Sequence, residues 1–422
     1  MEKYNEYKDS GVQWLGEIPS HWKMKRLASM FVGEVEINKE YRIKRAFKFN
    51  YGDLVPKNEV GDLEEYKNVY TKYSLIKKGD IIINGLNLNY DFVSQRIACT
   101  PDEGIITSAY VVCRPRKKVN YNFYTYLFKG MDSMKLFHGM GSGIRLTLSF
   151  KELKRQLLPV PPEEEQDAIV FYLDIKCSNI EVLLANKKKE ITLLQEMKQR
   201  VITDAVTRGL NPNVKFKPTN IPWLPEIPEH WEEKRLSTQF TGDVQVNKDF
   251  TVKHAFKFNY GELVPKNEVG APEEYRDVYV RYSLIKEGDV LINGLNLNYD
   301  FVSQRVACAP ADGIITSAYV VCRPRKNVNY NYYTLLFKAM DSMKLFHGMG
   351  SGIRLTLSFK ELKKQLLPVP PIEEQHAIVS YITERTAKID SLIEKLNKEI
   401  ECVKEYKQRL VSDVVTGQIK VS

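Results

Sequence analysis

The residues here that could do chemistry are suited to recognition. Ile83–Arg96 reads INGLNLNYDFVSQR, and Asn84, Asn87, Asn89, Tyr90, Asp91, Ser94, Gln95 and Arg96 crowd amide, hydroxyl and guanidinium groups into it. Asn and Gln side chains match the edge of adenine, and Arg matches that of guanine. An Asn-rich loop with no partner is the competing reading. Downstream, HGMGSGIR places Gly139, Gly141 and Gly143 just before Arg145. Glycines let backbone N–H groups approach a phosphate closely, so this loop could form a small anion-binding corner; a flexible turn serves equally well. It lacks the preceding strand and following helix of a dinucleotide site.

Catalytic signatures are missing. The sequence holds no GxxxxGK[ST], HExxH or GxSxG, and no Asp/Asn-Pro-Pro-Tyr/Phe run of an amino-methyltransferase. The six cysteines form no CxxC pair and the six histidines no cluster, so reduced, structural cysteines and no metal or cofactor are expected. A net charge of +9 on 422 residues fits an acidic partner such as nucleic acid. No apolar run approaches the ~18 residues of a membrane span and no signal peptide is evident, so a cytoplasmic protein is expected.

Both loops are written twice. Ile83–Arg96 returns unchanged at Ile292–Arg305, Gly104–Lys117 at Gly313–Lys326, and Met131–Lys154 at Met340–Lys363, all at one offset, 293 − 84 = 209 residues. So long a period means a tandem duplication of a whole globular domain. Each copy opens on a Trp-rich stretch, WLGEIPSHW (Trp14–Trp22) or WLPEIPEHW (Trp223–Trp231), whose prolines turn the chain and whose indoles anchor it. Strands are expected at Ala46–Tyr51, Asp80–Asn84, Arg96–Cys99 and Ile105–Arg114, which are β-branched or aromatic runs bounded by Gly, Pro and Asn. A helix is expected over Asn122–Phe137, then a short one with Ser149 and Glu152 as its capping box. The fold class is α+β.

Each domain precedes one long helix. Pro162 presets the first turn, and Glu163, Glu164 and Glu165 face the positive end of its dipole. Leu173, Ile180, Leu194 and Val201, with Cys177, Leu184, Ile191 and Ala205, recur as a coiled-coil seam. In the last stretch Ile382, Ile389, Leu396, Val403 and Leu410, with Ile393, Ile400 and Val414, repeat it. Each helix offers the other an antiparallel partner, with Lys187 and Lys407 on the seam. At about 45 residues either would span roughly 65 Å, the length of a spacer. The expected order is a domain over 1–161, helix 162–208, a domain over 209–370 and a second helix in 371–422.

Together these features resemble the specificity subunit of type I restriction-modification systems. The likeness rests on the Trp-rich openings and on the helix starts LPVPPEEEQ and LPVPPIEEQ (Pro161, Pro162, Glu164, Glu165, Gln166, Ile169; Pro370, Pro371, Glu373, Glu374, Gln375, Ile378). The DAVT and DVVT turns that end the helices complete it. The resemblance implies two target recognition domains, each reading half of a split site in double-stranded DNA. The helices would set the spacing, two modification (methyltransferase) subunits would dock around them, and restriction (motor-nuclease) subunits would join for cleavage. The chain itself would not be an enzyme. DNA-contacting candidates are Asn84, Asn87, Asn89, Tyr90, Gln95, Arg96, Lys135, Ser142, Arg145 and Lys151, with Asn293, Asn296, Asn298, Tyr299, Gln304, Arg305, Lys344, Ser351, Arg354 and Lys360 in the second copy. Alternatives are a coiled-coil scaffold that never touches DNA and a reader fused to a methyltransferase.

Members of this family usually pair two unlike domains, whereas here the second repeats the first. Matching half-sites are therefore expected, inverted because antiparallel helices oppose the domains. Departures exist, notably Arg42 against Thr251, Arg45 against His254, and Asp62-Leu63 against Ala271-Pro272, and any that faces a base could alter a letter.

Overall fold

The structure is a computed structural model that describes residues 2–50, 52–58, 63–89, 95–141, 146–298, 304–352 and 355–421. Residues 1–187 with 397–422 form one compact unit, and residues 188–396 form another. Both are mixed helix and strand.

In the first unit a four-stranded antiparallel sheet runs in the order Phe31–Val32, Val111–Pro115, Ile81–Ile83, Ile97–Cys99. Its central strand is three isoleucines because both faces are covered and no polar side is needed; all three are 0% exposed. Ile82 meets Phe47, Leu54, Ala98 and Val112, where the hairpin Phe47–Asn50/Asp53–Pro56 closes one side. Shortening Ile82 to Ala should cost about 2–5 kcal/mol. The helix Tyr121–Ser133 buries Phe123, Tyr124, Leu127, Phe128 and Met131. The Asn120 side chain caps it by accepting from the N–H groups of Asn122 and Phe123, and the Phe31 ring meets Tyr124 edge-on at 5.4 Å.

Two expected elements come out differently. The run Ile105–Arg114 is not one strand: Gly104–Ile106 pairs with Ser74–Ile76, and Val111–Pro115 joins the central sheet. Thr107 makes the break, its hydroxyl accepting from the N–H of Ala109 and its carbonyl from that of Tyr110, as hydroxyl residues do in turns. The helix expected to reach Phe137 stops at Ser133, because Lys135 takes a left-handed φ of 59° before a 3-10 turn over Leu136–Gly139.

The long helices run Glu163–Arg208 and Ile372–Val415. Within the first unit Leu173, Cys177, Ile180 and Leu184 are buried, as are Ile400, Leu410 and Val414. Lys187 pairs with Glu399 and Lys407 with Glu181, so numbers fall on one helix as they rise on the other and the pairing is antiparallel. The Trp-rich stretch is held to the helix start: Trp22 is 0% exposed and His21 Nε2 lies 2.8 Å from Glu165 Oε2. The short helix Phe150–Leu153 keeps its Ser149/Glu152 capping box.

The second unit repeats the plan: Phe240–Thr241, Val320–Pro324, Val290–Ile292 and Val306–Cys308 form its sheet. Val290 and Ile292 face the helix Tyr330–Ser342, while Leu291 faces the hairpin side with Phe256 and Leu263. Here the helices pair antiparallel through Lys198 and Asp390, 2.7 Å apart, with Ile382 and Ile389 buried. His230 and Trp231 both reach Glu374, at 2.7 and 3.0 Å. No helix among the described residues is long and apolar enough to cross a membrane.

Candidate nucleic-acid interface

The Asn-rich loop leaves the central sheet strand and returns by the next one. Ile81–Ile83 pairs with Ile97–Cys99, and the N–H of Asn84 donates to the carbonyl of Arg96 at 2.8 Å, so the loop projects from a pair of buried strands. A rigid base of that kind is what a positioned reading group needs.

The Gly-rich loop meets it. Leu88 N–H donates to the Leu146 carbonyl at 3.2 Å, and Leu148 N–H to the Gly85 carbonyl at 2.9 Å. Gly141 is required for this approach, since a Cβ there would stand 2.8 Å from the Leu146 carbonyl carbon and 2.9 Å from Leu88 Cδ1. The hairpin turn closes the third side: a Cβ on Gly52 would lie 2.7 Å from Gln95 Oε1. Two loops distant in sequence and one turn thus share a surface. In the second unit the pairs Leu297–Leu355, Leu357–Gly294 and Gly261–Gln304 repeat the arrangement.

On this surface Asn87 and Gln95 are exposed, and Asn84 and Asn89 are half-buried; Asn296 and Gln304, and Asn293 and Asn298, match them. Lys151 and Lys360 are exposed on their capped helices, Ser351 is exposed, Lys135 is exposed and Lys344 half-buried. Asp132, at the end of the helix before Lys135, lies within electrostatic reach of Lys135 and His138. Tyr90, Ser142, Arg145, Tyr299 and Arg354 lie outside the described residues.

Arg96 and Arg305 require a correction. Expected to read guanine, each is only 1% exposed. Arg96 Nη1 donates to the carbonyls of Asn84 and Leu86, both at 2.8 Å, and Nη2 to that of Asn87 at 3.5 Å. Its main-chain N–H donates to Asp132 Oδ2 at 2.9 Å. Arg305 makes the same contacts with Asn293, Leu295, Asn296 and Asp341. A guanidinium committed to carbonyls beneath the loop has no face left for a base. Desolvation explains the choice: a buried charge must be hydrogen-bonded, and planar Arg can satisfy several carbonyls at once. The role of Asp132 and Asp341 was not foreseen either. Their place in the repeated MDSMK segment was visible, but nothing in it pointed to the loop.

Residues 304–402 match the family model described as the type I restriction modification DNA specificity domain. Over 384 residues the chain is 24% identical to the type I restriction enzyme MjaVIII specificity subunit of Methanocaldococcus jannaschii, covering 86% of this chain and 84% of that one. It is 25% identical over 291 residues to the type I restriction enzyme EcoBI specificity subunit of Escherichia coli, covering 64% and 60%. Among solved structures, one described under the complex assembly and conformational transition of the type I R-M system matches at a TM-score of 0.68 and 16% identity. That match covers 95% of this chain and 99% of that one, and it shows a shared fold.

Proposed function

We propose that this chain, which the family model and the curated relatives support as a type I restriction-modification specificity subunit, reads one half of a split DNA target with each of its two units. DNA-sequence recognition is the role those matches support, and the subunit is non-catalytic. The observation that carries the reading is one polar surface built twice, with Asn87 and Gln95, or Asn296 and Gln304, offered from a rigid strand pair. Amides so placed suit adenine edges, while Lys135, Lys151, Lys344 and Lys360 suit phosphates. Tyr90, Ser142 and Arg145, with Tyr299, Ser351 and Arg354, complete the proposed set.

Recognition domains over 1–161 and 209–370 would then be spaced by the long helices, around which two modification subunits dock, with restriction subunits joining for cleavage. The protein would work in the cytoplasm beside its DNA. The near-identity of the two copies favours matching half-sites, and the antiparallel helix pairing favours an inverted repeat. A gel-shift series on genomic duplex fragments at rising salt tests the reading. Steep loss of affinity with salt is expected because phosphate contacts release counterions; absence of binding at low salt would leave a scaffold without DNA.

A further inference from the structure

We infer that Arg96 and Arg305 are positioning residues that set sequence discrimination from beneath, by clamping the main chain of the DNA-reading loop. This rests on the reading of that loop as the base-contacting surface.

The carbonyls that each guanidinium gathers come from one short segment, Asn84, Leu86 and Asn87 or Asn293, Leu295 and Asn296. Asn87 and Asn296 carry exposed amides, while the amide oxygens of Asn84 and Asn293 accept from the N–H groups of Leu86 and Leu295 within the same segment, so fixing these carbonyls fixes the direction in which the exposed side chains leave the backbone. The clamp holds an unusual shape: Asn87 has a φ of 51° and Asn296 of 50°, the left-handed region that Asn tolerates better than most residues but that is not its preferred state. The other end is anchored, because the Arg96 N–H is taken by Asp132 in the last turn of the helix Tyr121–Ser133, and the Arg305 N–H by Asp341 in Tyr330–Ser342. Loop, strand and helix are thereby joined through one residue, its side chain holding the loop and its main-chain N–H the helix. A planar fork spreads its donors over two nitrogens and so meets carbonyls at separate points; an ammonium gathers its three donors on one nitrogen at the end of a flexible stem and fits that spread poorly. A loop off by about 1 Å would still meet phosphates but would lose bidentate base contacts, whose geometry is strict.

The duplication supplies an internal control, since Arg305→Lys alters one reading loop and leaves the other intact. The full chain, assembled with its modification subunits where binding needs them, would select from a pool of randomised DNA duplexes. The wild type is expected to return a motif with two defined halves. R305K is expected to keep one half and to flatten the other by about ten-fold or more per position, with the slope of affinity against salt unchanged and the melting temperature lowered, since buried carbonyls lose donors, while the chain stays folded. Asp341→Asn, which keeps the acceptor's shape but weakens its hold on the Arg305 main chain, is the second variant and should flatten the same half if R305K folds poorly. Two halves as sharp as the wild type's in a folded variant would overturn the inference. So would a uniform loss on every sequence with a shallower salt slope, which would make Arg305 a phosphate contact. A wild type that returns no motif would instead overturn the DNA-reading premise, leaving the two failures distinct.

Discussion

Lys407 of the second long helix places its ammonium against the carboxylate of Glu181 in the first, at the heptad position between the buried Ile400 and Val414, with its own side chain 29% exposed. A lysine at such a position weakens the apolar seam yet fixes register, because a shift of one turn would leave its charge unpaired. Glu181 is 62% exposed, so the pair itself contributes little, about 0.5 kcal/mol. A double-mutant cycle with Lys407→Glu and Glu181→Lys should show each single exchange lowering the melting temperature and the double exchange recovering most of the loss. Additive losses would mean that the two side chains do not meet in solution.

Phosphate contacts should behave differently from base contacts. Lys151→Ala together with Lys360→Ala is expected to weaken binding on cognate and random duplexes alike, and to reduce the salt slope by about 2. Loss confined to the cognate sequence would assign both lysines to base reading.

Much of this architecture was legible in the sequence, and the exceptions share a cause. Pro162 with three following glutamates marked the first long helix, and the heptads that include Ile180 and Ile389 marked the buried seam, because these signals are local and periodic. The break at Thr107 is hidden in the sequence because the β-branched run around it resembles one strand; only its hydroxyl, accepting from the N–H of Ala109 two residues on, turns the chain. The helix end at Ser133 depends on the left-handed backbone of Lys135, which that residue type does not announce. Arg96 was the deepest miss. A polar loop has the same composition whether its arginine faces outward or lies beneath it, and only the carbonyls of Asn84, Leu86 and Asn87 converging on one point decide the matter.

Burial pushes the Asp132 and Asp341 carboxyls above the usual carboxylate range, against the opposing pull of the Arg96 and Arg305 main-chain donors. The native state therefore keeps protons that the unfolded chain has already released, and this contribution to stability falls as pH rises through that window. Asp132→Asn with Asp341→Asn removes the titration. Urea unfolding at about pH 4 and about pH 7 should show the variant gaining on the wild type at the higher pH. A gain at the lower pH would mean that the carboxyls are held charged.

Alone, the chain should neither methylate nor cut DNA, because methylation requires a base flipped into a pocket that a recognition subunit does not supply. Transfer of labelled methyl groups is expected only after a modification subunit is added. Robust transfer by the purified chain would restore the fused-enzyme alternative.

The central claim is that one recognition surface occurs twice, so the most direct measurement is the methylated motif in DNA from cells carrying this chain and its modification subunit, read by long-read sequencing of modified bases. The account predicts a split motif whose halves are inverted copies of one word, with at most a letter changed where Arg42, Arg45 or Leu63 is replaced by Thr251, His254 or Pro272. Two unrelated halves would contradict it, and a direct repeat would contradict the antiparallel pairing on which the inversion depends.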